Sequence, residues 1–149
     1  MNLGNFKNRS NCEYMIISDN EPPEIVSQLL GIVPHRTHTK GEMSVSRTSG
    51  SLITQPKNLW CVRTETIVSN QEGIKKHIQQ LKSLLQSKID LIANYKNQNR
   101  FEMIFWIWIE TEDAGIGLEL TGEELEFINK ISHTVHVSLL TNQDIGKDV

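Results

Sequence analysis

Residues 101–111 read FEMIFWIWIET, a run of aromatic and β-branched residues that suits an extended, pleated backbone better than a helix. One alternating set is Phe101, Met103, Phe105, Ile107 and Ile109; the other is Ile104, Trp106 and Trp108, bracketed by Glu102 and Glu110. Both sets are apolar at the centre, so neither face of this strand suits water. Left at a sheet edge, such a run would recruit other chains. It is expected as an interior strand whose tryptophan face is either covered or used for binding.

Working outward, the C-terminal side offers a turn at Gly115–Gly117, then Thr121 and Glu124 at the spacing of a capping box, with Leu120 and Leu125 placed as its hydrophobic staple. Leu125, Ile128 and Ile131 give the next helix its expected buried stripe, and 134–141 (TVHVSLLT) alternates as a final strand. On the N-terminal side, Ile74, Ile78, Leu81, Leu85, Ile89 and Ile92 recur at three- and four-residue steps and predict one long helix ending at Asn97-Gln98-Asn99. Unbroken, it would run roughly 40 Å at 1.5 Å per residue. Ser69 and Glu72 form a capping-box pattern at its start.

Residues 11–18 (NCEYMIIS) and 59–66 (LWCVRTET) read as strands, and 35–55, rich in Thr, Ser and Gly, as one or two short strands around exposed turns. Between them, Asp19 to Pro23 supplies cap candidates and prolines suited to a first helical turn. Ile25, Val26, Leu29 and Leu30 follow at helical spacing, Gly31 suits a C-terminal cap, and Pro34 bars continuation. The order predicts an α+β fold, a ferredoxin-like mixed or antiparallel sheet with helices packed on one face, plus an added C-terminal helix and strand. At 149 residues the chain fits a single domain, with a core over about 11–141 and frayed ends.

Charge is unevenly distributed. Residues 1–100 hold thirteen Lys or Arg against eight Asp or Glu, whereas 101–129 hold eight acids (Glu102, Glu110, Glu112, Asp113, Glu119, Glu123, Glu124, Glu126) and no Lys or Arg; the formal total is −3. A block of one sign steers a partner of the other and does little to define a fold. Glu110, Glu112, Asp113, Glu119, Glu123 and Glu126, with Trp106 and Trp108, are therefore the candidate partner-binding residues, and the expected partner is a basic protein.

Other constellations carry less. His35 with His38, and His133 with His136, share HxxH spacing, but in an extended segment such residues point to opposite faces and no cysteine or acid completes a ligand set, so no metal is expected. The Gly115–Gly117 turn leads to a helix whose first turn already holds Glu123 and Glu124, which would repel a phosphate. No nucleophile with an adjacent base is evident, so neither catalysis nor a cofactor is expected. Lysines on the long helix lack interleaved aromatics besides Tyr95, which argues against nucleic acid; His77, beside Lys76, is expected in solvent. Cys12 and Cys61 lack CxxC spacing and are expected to be reduced. The polar start (Met1–Asn11) and the short longest apolar run (Met103–Ile109) predict a cytoplasmic chain with no membrane partner. An alternative places a small-molecule or hydrolytic pocket in the 35–60 region, built from Arg36, His38, Lys40, Glu42 and Trp60.

Leu30-Gly31 with Pro34, then Lys40-Gly41-Glu42, Trp60, and His77 to Leu81 together resemble a bacterial family known only as a domain of unknown function. The resemblance covers most of the chain and implies no catalytic residue. Small members of this kind are similar to immunity proteins, which neutralise a cognate toxin by binding it. That implies a non-enzymatic antitoxin whose acidic face covers a co-encoded toxin, for instance a nuclease.

Overall fold

The computed structural model describes residues 7–46, 49–69 and 73–141. The expected frayed ends and Glu72 of the first capping box lie outside these residues. The fold is α+β. Its centre is β1 (Asn8–Ser18), buried along nearly its whole length. On one side β1 pairs antiparallel with β7 (Glu102–Thr111) from Asn8↔Thr111 to Ile17↔Glu102. On the other side its second half pairs antiparallel with β5 (Asn58–Arg63) and its first three residues with β6 (Ile67–Ser69). Thr64 bridges the step, its N–H donating to Cys12 O (3.0 Å) and its Oγ1 accepting from Cys12 N (3.0 Å).

The sheet runs β2-β5-β1-β7-β8, where β2 (Arg36–His38) pairs antiparallel with β5 and β8 (Thr134–Leu140) pairs parallel with β7. Helix α1 (Pro23–Leu30) lies between β1 and β2 in the chain, with β5 inserted between those strands in the sheet; α2 (Ile74–Leu85) and α3 (Ile89–Lys96) lie between β5 and β7, with β1 inserted. Two β-α-β units thus interleave. Helix α4 (Gly122–Ile131) is the crossover into β8. A separate hairpin, β3 (Met43–Val45) with β4 (Leu52–Thr54), completes the 35–55 region.

Strand register sorts the side chains. Cys12, Tyr14, Ile16, Trp60, Val62, Met103, Phe105, Ile107 and Ile109 share one face and join buried residues of all four helices in one core. Two polar contacts fix helices to this face: Tyr14 Oη donates to Ile131 O at the end of α4 (2.5 Å), and Trp60 Nε1 donates to Ser27 Oγ on α1 (3.1 Å).

Several local expectations are corrected. The long helix is two, separated by a 3-10 turn at Gln86–Lys88 that contains neither Pro nor Gly, while the buried stripe continues from Leu85 to Ile92. Ser69 does not cap α2: it is drawn into β6 opposite Asn8, and the cap position is Gly73. At α1 the cap position is Pro22, without a side-chain cap; the serine before the turn, Ser18, instead accepts from Asn20 N (3.2 Å) and Glu21 N (2.9 Å). Gly31 does end α1, at φ 64°, where an L side chain would be strained. The Thr121–Glu124 capping box forms, yet Leu125 points to solvent and Phe127 takes its place beside Ile128 and Ile131, edge-on to Phe105.

Burial sets the expected order of mutational cost. Phe105→Ala and Leu85→Ala, both fully buried, should cost about 3–5 and about 2–5 kcal/mol respectively, and Thr121→Ala only about 1 kcal/mol through its cap. Chemical denaturation measures all three, and Thr121→Ala emerging as the worst would overturn this packing.

Candidate functional site

The second face of the sheet has no helix over it among the described residues. Register places three rows across β1, β7 and β8 there: Glu13, Trp106, His136; then Asn11, Trp108, Ser138; then Arg9, Glu110, Leu140. The indoles of Trp106 and Trp108 stack, centroids 5.4 Å apart and 10° between planes, because residues two apart on one strand share a face. The imidazole of His136 stacks on Trp106 at 3.9 Å, and Trp106 Nε1 donates to Ser138 Oγ (3.0 Å). The result is a stiff ladder of three rings. Trp108 stays 39% exposed and, with Arg9, Glu110 and Leu140, lines a hollow of about 590 Å³.

Toward β5 the same face turns polar and buried. Glu13 is 3% exposed and meets Arg36 Nη2 from β2 at 3.3 Å, with Cys61 Sγ 4.0 Å from the same carboxylate oxygen. Removing a carboxylate from water is tolerable only with such partners. Burial pushes the Cys12 thiol, on the opposite face, up to about 12, so it is no nucleophile at neutral pH.

Of the acidic block, Glu110, Glu112 and Asp113 lie where β7 finishes, whereas Glu102 lies at its other end, 3.8 Å from Lys57. Helix α4 ends at Ile131, just before β8 opens beside Ile104, so its N-terminus points back toward Thr111. Glu112 accepts from the backbone N–H of Lys7 (3.2 Å), Asp113 from Ala114 N (2.7 Å). Glu124 pairs with Lys75 (3.5 Å); burial works against its charged form, but the Thr121 hydrogen bonds and Lys75 outweigh it and hold its pKa below the ordinary carboxylate value. Glu110, Glu112, Asp113, Glu119, Glu123 and Glu126 make no ion pair among the described residues. The sequence block is thus less uniform in space than in order: Arg9 stands across from Glu110, and Lys75 joins from α2.

The residues of the alternative pocket do not converge. Trp60 is fully buried on the helix face, whereas Arg36 and His38 register with Cys61 and Leu59 on the other. Lys40 pairs with Asp19 (3.7 Å), and Glu42 accepts from Thr39 N (3.0 Å) with His38 Nδ1 at 3.1 Å. Gly41, at φ 89°, donates to Gln55 O (2.9 Å), so Lys40-Gly41-Glu42 forms the turn that seats the β3–β4 hairpin.

His77 corrects the expectation of a solvated ring. It lies in the buried stripe of α2, fully buried, with Nε2 3.1 Å from Ser10 Oγ. The spacing signal was present, since position 77 follows Ile74 by three and precedes Leu81 by four, but its polarity hid it. A serine–histidine contact suggests a nucleophile and base. Here both groups are buried, Ser10 at 3%, and among the described residues Nδ1 has no partner to orient it. The pair ties α2 to β1. Of the remaining histidines, His35 Nδ1 accepts from Arg63 N (3.2 Å) and His133 Nδ1 from Met103 N (3.1 Å). Among the described residues no three His, Cys, Asp or Glu gather to hold a metal ion, and no helix is long and apolar enough to cross a membrane.

Comparison with known proteins gives one family: residues 8–142 match the family described as "Domain of unknown function (DUF4279)", and the chain belongs to it. No curated protein and no solved structure matches the chain.

The buried imidazole makes a pH prediction. Burial lowers the pKa of His77 in the folded state, and its hydrogen bond with Ser10 offsets this only in part. The unfolded chain, with an imidazole pKa near about 6.5, binds the proton more readily. The stability contributed by neutral His77 is therefore complete above that value and is lost as pH falls below it. Melting temperatures from pH 8 to 5 should drop more steeply for the native chain than for His77→Gln; equal slopes would refute it.

Proposed function

We propose that this protein is a cytoplasmic, non-enzymatic binding protein of the immunity type, which neutralises a co-encoded toxin by binding a basic surface of it through the indole ladder and the acidic end beside it. The observation that carries this reading is the juxtaposition of exposed Trp108, braced by Trp106 and His136, with carboxylates that lack cationic partners among the described residues. Large aromatic side chains already held in one conformation lose little entropy on binding, which is why Trp is over-represented among residues that dominate interface energies. Unpaired carboxylates around them add specificity and association rate.

The ladder is poorly suited to nucleic acid. Base stacking needs free ring faces, and the Trp106 ring is already occupied by Trp108 and His136. The carboxylates at Glu110, Glu112 and Asp113 would also repel phosphates.

Co-expression with a neighbouring toxin-like reading frame tests the proposal, with cell survival and calorimetric binding as readouts. Reversing Glu112, Asp113 and Glu119 to lysine should weaken binding more than about tenfold by setting like charges against the partner. Trp108→Ala should weaken it by about 2 kcal/mol or more if the ladder is the anchor. Association of the native protein should slow as the screening length contracts from about 10 Å at 0.1 M salt to about 3 Å at 1 M, and the reversed variant should slow less. Absence of protection, or a folded triple reversal that binds as well as the parent, would refute the reading.

A further inference from the structure

The strand that ends the sheet is built differently from its other edges. β2 is three residues long and carries Arg36, tied to Glu13, and His38, beside Glu42; β6 is also only three residues. Short, charged edges resist pairing with other chains. β8 has seven residues, TVHVSLL, with no Lys, Arg, Asp, Glu, Pro or Gly. Its inner side bonds β7, and among the described residues no strand pairs with its outer side.

Its side chains show the same incompleteness. Phe105, Ile107 and Ile109 of β7 are at most 2% exposed, yet their register partners Val135, Val137 and Leu139 are 43%, 45% and 44% exposed on the same face. The apolar face therefore extends one strand beyond its cover. An uncovered stripe of this kind, next to an unprotected row of backbone donors and acceptors, marks a place where another strand adds.

We propose that β8 pairs antiparallel with β8 of a second copy, about a two-fold axis through Val137, joining two sheets into one. The strand fits itself. Centred on Val137, the pairing sets Val135 opposite the second copy's Leu139 on the helix side, and His136 opposite its Ser138 on the other. There Ser138 Oγ, already accepting from Trp106, retains a hydroxyl proton to donate to the imidazole. With no formal charge in β8, self-pairing incurs no like-charge cost within the strand although each chain carries −3. Two-fold pairing consumes both edges and closes the assembly, so the exposed strand does not propagate a fibre. The proposal does not rest on the toxin-binding reading: it is argued from the edge of β8, although His136 and Ser138 touch both the ladder and the seam.

Light scattering on the full chain at tens of micromolar should give twice the 17.0 kDa of one chain. Val137→Lys, at a half-exposed site, should preserve the far-ultraviolet dichroism and weaken self-association by roughly tenfold or more, because two ammonium groups would face each other across the axis. Val137→Cys should form an interchain disulfide, since directly opposed antiparallel residues have Cα atoms about 4.5–5.5 Å apart, within disulfide range. Leu84→Cys, on the exposed side of α2, should not. If Val137→Lys fails to fold, the cysteine result decides. A monomeric native chain would overturn the proposal, as would a dimer that neither responds to Val137→Lys nor cross-links through Val137→Cys, whether residues 142–149 or another surface then accounts for the edge.

Discussion

The double pairing of β1 is the constraint from which the rest of the molecule follows. With β7 on one side and β5, Thr64 and β6 on the other, β1 has no free edge, and its buried residues alternate between two faces. The helix face accepts Cys12, Tyr14 and Ile16 into the apolar core. The other face must accommodate Glu13, which is why Arg36 reaches across from β2 and why the polar and aromatic halves of that face are distinct. Loss of β1 pairing would leave α1, α2 and α4 with no common surface.

Much of this was legible. Residues 101–111 announced an interior strand because both of their alternating sets are apolar, and the parity of Trp106 and Trp108 already placed them together on one face. Thr121 with Glu124 identified the start of α4 because a capping box is local chemistry. What could not be read depended on partners distant in sequence. Ser69 has the identity of a cap but is claimed by pairing with Asn8; the helical stripe runs unbroken through Gln86–Lys88 because the break lies in the backbone; Trp60 and Arg36 turn to opposite faces by a register that no local pattern encodes.

The candidate site was legible in its parts and obscure in its assembly. The pieces that carry the family resemblance largely serve structure: Gly31 ends a helix, Gly41 turns a hairpin, Trp60 anchors α1, and His77 joins α2 to β1. Membership in the family therefore explains the fold better than the role. The indole ladder and the carboxylates without an ion pair among the described residues lie elsewhere, on side chains outside the apolar core.

The pairing of Asn8 with Thr111 spans 103 residues of chain. During synthesis β1 therefore leaves the ribosome well before the strand that completes its longest ladder, and β5, whose register partners lie 43 residues nearer, is the first partner it can meet. A nascent chain in that interval exposes a strand with an apolar helix-facing side and one edge open, the kind of intermediate that non-local sheets present to chaperones and to neighbouring nascent chains. Its vulnerable period is thus set by the time taken to translate α2, α3 and β7, so the same architecture that encloses the central strand in the finished protein makes it the longest-exposed element while the protein is being made.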